Sequence, residues 1–214
     1  FVQIAGLAID AAEAHGAREG AGGDACGLVA HQLVARQLQK LRPRFNFSWF
    51  FKHLRQLALE DPRFESLETQ LRLFTPQLRQ MARSANASAK CFCHMDYLRK
   101  NLFVSAQGLQ LIDWSEVKVG RVGFDGGAYL SALFRRNDMK RYLQVRDDFM
   151  AAYTQALDPR FEVTQVLHNL RYVFLLNALW HCMRPETIAE YRDNERMPLL
   201  REKLDYLLTL KALT

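Results

Sequence analysis

The chain has 214 residues, of which 49% are hydrophobic and 24% are charged, and it carries a formal net charge of +6. This composition is typical of one globular domain, and no apolar run reaches the roughly 18 residues of a membrane span. The basic residues form no long Lys/Arg run, which favours a small anionic ligand such as a nucleotide and predicts no nucleic-acid partner.

The amino-terminal segment is rich in alanine and glycine. The glycine-rich run at residues 16–23 lacks the Gly-Lys-Ser/Thr ending of a phosphate-binding loop, so residues 1–23 are expected to form a flexible connector. Residues 1–9 are apolar but lack the basic leader of a signal peptide. The four cysteines show no disulfide-framework spacing, which is typical of proteins in the reducing cytoplasm.

Helical periodicity dominates the chain on both sides of residue 91. Apolar residues recur at helical spacing from Asp24 to Pro43, within residues 48–59, and from Asp61-Pro62 towards Arg83. Thr75-Pro76 predicts a break or restart in the third of these helices. The later helices are predicted at residues 126–136, 138–157, 164–183 and 194–210. The nearly apolar 164–183 helix is expected to lie at the centre of the core.

Residues 91–113 hold the chemically informative part of the sequence. Cys91, Cys93 and His94 could suggest a zinc site, but structural zinc needs four ligands and no second pair lies at a suitable spacing. A short buried strand, with cysteine as a small apolar residue, is therefore the favoured interpretation. This strand leads directly into a polar loop that contains Asp96 and Asn101.

A β-hairpin is predicted immediately after that loop, because residues 102–104 and 109–112 are largely apolar and flank a Ser-Ala-Gln-Gly turn. A hairpin brings its ends together, so Asn101 at the entrance and Asp113 at the exit are expected to converge. An amide oxygen and a carboxylate form a hard-oxygen site that suits magnesium. Asp96 would then orient a substrate hydroxyl and accept its proton, so the pattern describes phosphoryl transfer.

The pattern His-x-Asp-x-x-x-x-Asn at residues 94–101, followed by Ile-Asp-Trp at residues 112–114, resembles the catalytic core of the aminoglycoside phosphotransferase and choline kinase superfamily. These are small-molecule relatives of the protein kinases. The resemblance implies ATP and magnesium as cofactors. It also implies that Asp96 is the catalytic base, and that Asn101 and Asp113 are magnesium ligands.

Further positions acquire roles through the same resemblance. His94 would brace the catalytic loop, and residues 119–125 are similar to the family's short loop that ends in a buried aspartate, which implies that Asp125 ties down the catalytic-loop backbone. Met95 stands where the family commonly has glycine, which leaves the conformation of this loop open. Trp180 is similar to a tryptophan that helps to form the acceptor pocket in choline kinase-like relatives, although an aromatic residue on a helix is more often a packing residue.

We therefore expect an α+β fold, a protein-kinase-like carboxy-terminal lobe over residues 1–214 that is mainly helical with a small β-hairpin at the catalytic loop. The sequence shows no counterpart of the family's amino-terminal lobe, so residues 1–23 are expected to connect to a lobe that is missing here. The expected function is ATP- and magnesium-dependent phosphorylation of a small-molecule hydroxyl. A non-catalytic binding module with the same scaffold is the alternative. The acceptor stays open, although the basic charge disfavours polycationic aminoglycosides.

Overall fold

The computed structural model describes residues 45–96, 101–105 and 108–209. The helix predicted between Asp24 and Pro43 and the connector predicted at residues 1–23 lie outside the described residues. Within them, the expected architecture is confirmed, since helices predominate and the strands form two small antiparallel pairs.

The described part of the chain contains seven α-helices and four short strands. The helices are α1 Phe47–Glu60, α2 Glu65–Ala87, α3 Phe124–Phe134, α4 Met139–Gln155, α5 Val163–Met183, α6 Pro185–Asp193 and α7 Met197–Leu208. The strands are β1 Lys90–Cys93, β2 Leu102–Ser105, β3 Gly108–Leu111 and β4 Lys118–Arg121. No helix among the described residues is long and apolar enough to cross a membrane.

Helix α2 runs through Pro76 without a break, so the predicted interruption at Thr75-Pro76 is wrong. A proline inside a helix leaves the carbonyl four residues earlier without its donor. Here both Pro76 and Arg72 are exposed, so water can satisfy that carbonyl. The opposite face of the helix is held by a continuous buried stripe, formed by Leu67, Leu71, Phe74, Leu78, Met81 and Ala85. The free energy gained by burying this stripe exceeds the free energy lost with the one helix hydrogen bond that proline removes.

Strand β1 precedes the loop that contains Asp96 and Asn101, and the other three strands follow it. Strands β2 and β3 form the predicted hairpin, with Leu102 opposite Leu111 and Ser105 opposite Gly108. Strand β1, also predicted, pairs with β4, with Lys90 opposite Arg121 and Cys93 opposite Lys118. Residues 119–125 were expected to be a loop, but the first part of this segment belongs to β4. A four-residue strand with one glycine is too short to give a clear alternating pattern.

Helix α5 lies at the centre of the core, as its apolar sequence predicted. Eleven of its residues are buried. Helix α3 packs closely along it, because glycine at positions 126 and 127 allows the two backbones to approach. A Cβ atom at Gly127 would meet the carbonyl oxygen of Leu170 and would lie 2.9 Å from the amide nitrogen of Phe174. The amino-terminal end of α3 is thereby fixed against the core.

The carboxy-terminal helices differ from the prediction of one helix over residues 194–210. Helix α6 was not predicted, although Pro185 in its first turn and Glu186 beside it are typical of a helix start. Helix α7 begins only at Met197, after a turn in which Glu195 adopts a positive φ of 57°. The buried Lys203 on α7 donates from Nζ to the carbonyl of Arg136, at 2.9 Å, just after α3 ends.

Candidate active site

Strand β1 brings the chain into the site, and its partner β4 packs closely against it. A Cβ atom at Gly120 would lie 2.5 Å from the Sγ atom of Cys93, which is fully buried. A hydrogen bond with Cys91 and burial raise the pKa of the Cys93 thiol, so it stays protonated and behaves as an apolar side chain. No group of three or more His, Cys, Asp and Glu side chains suited to a metal occurs among the described residues.

His94 is buried and connects the catalytic loop to the end of the hairpin. Its Nδ1 atom accepts a hydrogen bond from the amide of Asp96, at 3.3 Å. Nε2 then carries the hydrogen and donates it to the carbonyl of Ile112, at 2.9 Å. The ring also contacts Trp114 edge-on, with 4.9 Å between the centroids. Both nitrogens of the imidazole are therefore used to hold backbone groups on either side of the site.

Asp125 lies in the first turn of α3 and reaches the start of the catalytic loop. Its Oδ2 atom accepts from the amide of His94 at 3.2 Å, and its Oδ1 atom accepts from the amide of Met95 at 2.7 Å. The side chain is partly rather than fully buried, because it lies at the helix end, where the resemblance had implied a buried group. A carboxylate at this end of a helix is favoured by the helix dipole.

The loop turns sharply at Met95, whose φ angle is 64°. This is the left-handed region, which glycine adopts easily and which costs other residues about 1–2 kcal/mol. The geometry explains why a glycine is suited to this position. In this chain, the hydrogen bond from the Met95 amide to Asp125 and the packing of its side chain against the core hold the methionine in that conformation.

Asp96 and Asn101 are joined directly across the loop. The Asn101 Nδ2 atom donates to the Asp96 carboxylate, at 2.9 Å, and to the Asp96 carbonyl, at 3.0 Å. Asn101 is only 3% exposed, whereas Asp96 is partly exposed. The asparagine thus fixes one oxygen of a carboxylate that solvent and ligands can still reach. Its own Oδ1 atom is the hard-oxygen group that it could offer to a metal ion.

Asp113 arrives at the same end of the hairpin as Asn101. The amide of Ile112 donates to the carbonyl of Asn101 at 3.1 Å, so the two chain segments are adjacent at this point. Asp113 is exposed and has a φ angle of 62°, and Ser115 Oγ donates to its Oδ1 atom at 2.6 Å. One amide oxygen and one carboxylate suit magnesium, which usually takes one or two protein ligands and completes its shell with water and phosphate.

Three large apolar side chains on and just after the hairpin are exposed, which was not predicted. Phe103, Ile112 and Trp114 all expose large parts of their side chains. The signal was present in the sequence, because a two-stranded hairpin cannot bury apolar residues on both of its faces.

Trp180, which was predicted to line the acceptor pocket, lies on the last turns of α5 and is 47% exposed. The guanidinium of Arg184 lies 4.9 Å from the centre of its ring. Leu170 on the same helix meets Gly126, next to Asp125, and ten residues of helix separate Leu170 from Trp180, a distance of about 15 Å along the axis. The role of Trp180 stays a prediction.

A profile of the phosphotransferase enzyme family matches residues 3–163. Among solved structures, an ethanolamine kinase from Plasmodium vivax is similar, with a TM-score of 0.43 and 13% sequence identity over 93% of this chain and 57% of that chain. The chain therefore spans little more than half the length of that kinase. No curated protein matches the sequence.

Proposed function

The chain belongs to the phosphotransferase enzyme family, which confirms the resemblance carried by the catalytic-loop motif, and we propose that it transfers phosphate from ATP to a hydroxyl group of a small molecule. The observation that carries this proposal is the hydrogen bond between Asn101 Nδ2 and the Asp96 carboxylate, next to the hairpin end that bears Asp113. This arrangement supports one carboxylate, that of Asp96, for the acceptor, and a separate pair of oxygen ligands, from Asn101 and Asp113, for magnesium.

Asp96 is the proposed catalytic residue. With one carboxylate oxygen held by Asn101, the group is oriented to accept a hydrogen bond from the acceptor hydroxyl and to take its proton as the new bond to phosphorus forms. Asn101 Oδ1 and the Asp113 carboxylate would hold magnesium, which when bound supplies neutralisation of the phosphate charge. His94 and Asp125 are proposed as positioning residues, since they hydrogen-bond to backbone groups of the loop and of Ile112.

In this proposal the chain forms one kinase-like lobe, which provides the catalytic residue and binds the acceptor. Most of the rate enhancement in phosphoryl transfer comes from positioning and charge stabilisation, so a pre-arranged loop is the main contribution that the lobe can make. The competing function is a binding module that keeps the scaffold without catalysis. The intact pair of Asp96 and Asn101 favours the enzyme, because binding alone needs no oriented carboxylate.

The experiment is a coupled assay of ADP formation by the full-length protein with ATP, magnesium and a panel of small hydroxyl compounds that includes choline, ethanolamine and sugar alcohols. We expect acceptor-dependent turnover that EDTA abolishes. Asp96→Asn should lower turnover by about 100-fold or more, because general-base catalysis typically contributes about 10²–10⁴-fold. The matched control Asp193→Asn changes an exposed carboxylate on α6 and should leave turnover unchanged. Nucleotide binding without turnover for any acceptor would favour the binding module.

A further inference from the structure

A cavity of about 570 Å³ lies between α4 and α5, outside the catalytic loop. Its volume falls in the range of about 300–1,000 Å³ that is typical of small-molecule sites. Much of its wall is apolar and includes Leu130, Met150, Leu167, Leu170 and Phe174. Such a wall suits the hydrocarbon or aromatic body of a ligand.

Two arginines line the same cavity from different helices, Arg146 from α4 and Arg171 from α5. Both are partly buried, and burial together with the charge of Arg146 lowers the pKa of Arg171. Asp147 is the one acidic residue of the lining, and it pairs with Arg146 at 2.6 Å while its own side chain is 66% exposed. The lining therefore carries an excess positive charge in a partly desolvated space, where like charges repel strongly.

Tyr142 adds a polar group to the lining. The residue is only 3% exposed, and its hydroxyl makes no hydrogen bond with any described residue. The neighbouring hydroxyl of Tyr206 accepts from Arg146 Nη1 at 2.6 Å, and burial together with this neighbouring hydroxyl raises the pKa of Tyr142, so Tyr142 stays protonated and keeps its O–H donor. Buried hydroxyl groups are almost always hydrogen-bonded, so an unsatisfied donor in a cavity wall is suited to a ligand.

We propose that this cavity binds an organic anion, a small molecule with an apolar body and an oxyanion head group. The head group would lie between Arg171 and Arg146 and accept a hydrogen bond from the Tyr142 hydroxyl. Guanidinium groups match the geometry of carboxylates and phosphates, while the apolar wall receives the rest of the ligand. The proposal is independent of the phosphotransferase function, because binding to this cavity can be measured without any turnover.

The experiment is a calorimetric titration of the purified protein with sodium octanoate, octan-1-ol and octylamine, which share a chain and differ in the head group. We expect octanoate to bind at one site, and to bind at least about tenfold more tightly than octan-1-ol, because a charge-assisted hydrogen bond is stronger than a neutral one. Octylamine should not bind. Equal binding of octanoate and octan-1-ol, or no octanoate binding at millimolar concentration, would overturn the proposal.

Three variants locate the site. Arg171→Met should weaken octanoate binding by about tenfold or more, and Tyr142→Phe should weaken it by a smaller factor. Tyr142→Phe keeps the buried aromatic ring in place, and a thermal melt of each variant checks that it is folded. Arg141→Met, on the exposed side of α4 and outside the cavity, is the control and should bind like the unmodified protein. If both cavity variants bound octanoate normally, the site would lie elsewhere.

Discussion

The catalytic loop and the α3–α5 helix pair meet at Asp125, and they are stabilised in different ways. The loop is held by hydrogen bonds from its backbone amides to the Asp125 carboxylate. It contains Met95 at a positive φ, and Asp113, after the hairpin, also has a positive φ. The helix pair is held by close apolar packing, and at Gly127 the backbone of the neighbouring helix leaves no room for a side chain. The difference indicates that loop residues can be changed with a loss of activity, whereas changes in the helix pair affect folding.

Loss of the Asp113 carboxylate, the proposed magnesium ligand, should strongly lower turnover. Asp113→Asn keeps a residue that tolerates the left-handed backbone but removes the charge. If the carboxylate holds magnesium, turnover should fall by about 100-fold or more while the melting temperature stays the same. The checks are a turnover assay at saturating magnesium and a thermal melt. Normal turnover would show that Asp113 is not a metal ligand.

In the α3–α5 helix pair, a substitution should lower the stability of the protein. Gly127→Ala places a methyl group against the backbone of Leu170, which cannot move aside, and should lower the free energy of unfolding by about 1–3 kcal/mol or more. Gly126→Ala is the matched control, because its methyl group would meet the flexible end of the Leu170 side chain, 2.7 Å away. Urea denaturation should show the larger loss for Gly127→Ala. Equal losses would mean that the two helices are not packed as described.

A third comparison concerns the backbone of the loop itself. Met95→Gly should keep most of the activity, since glycine adopts a φ of 64° without strain. Met95→Val should reduce turnover, because a β-branched residue is strongly disfavoured at a positive φ and would pull its amide away from Asp125. Turnover measured at one temperature for the three proteins tests this order. Higher activity for valine than for glycine would contradict the left-handed conformation.

The smallest effect is expected at a surface ion pair far from the loop. Hydrogen bonds from Arg55 and then Arg72 lower the pKa of Glu68 from 4.5 to about 2. This carboxylate therefore adds stability above pH 4.5, and the contribution disappears as the pH falls towards 2. Glu68→Gln should lower the free energy of unfolding at pH 7 by about 1 kcal/mol or less, since solvent screens the pair.

The test of this ion pair is a series of thermal melts of Glu68→Gln and the unmodified protein between pH 7 and pH 2.5. The difference in melting temperature should shrink as the solution becomes more acidic. Activity at pH 7 should not change. A constant difference across the whole range would show that the charge of Glu68 is not the stabilising feature.

The sequence predicted the parts of the fold that depend on local pattern. The hairpin, strand β1 and the central position of α5 follow from short periodic signals, and the family follows from the motif at residues 94–101. Strand β4 and the passage of α2 through Pro76 were not predictable in this way. Strand β4 forms by pairing with β1, which is distant in the sequence. Helix α2 continues through Pro76 because tertiary contacts bury one face of it.

The site shows the same division. The five polar residues of the motif could be named from the sequence, but the contacts among them depend on the tertiary fold. Asn101 Nδ2 holds Asp96, and Asp125 holds two consecutive amides through separate oxygens. The positive φ of Met95 could have been suspected from the family's glycine, although the sequence alone gives no reason for a methionine to adopt it. The cavity between α4 and α5 has no local signature, because its lining comes from three helices.

The most direct test of the account is to measure turnover and melting temperature for Asp96→Ala and Asp125→Ala side by side. Asp96 is assigned to the chemistry, so its removal should abolish turnover and leave the melting temperature nearly unchanged. Asp125 accepts hydrogen bonds from the amides of His94 and Met95, so its removal should lower both activity and the free energy of unfolding, the latter by about 1–3 kcal/mol. A destabilised Asp96→Ala protein beside a stable, inactive Asp125→Ala protein would contradict the assigned roles.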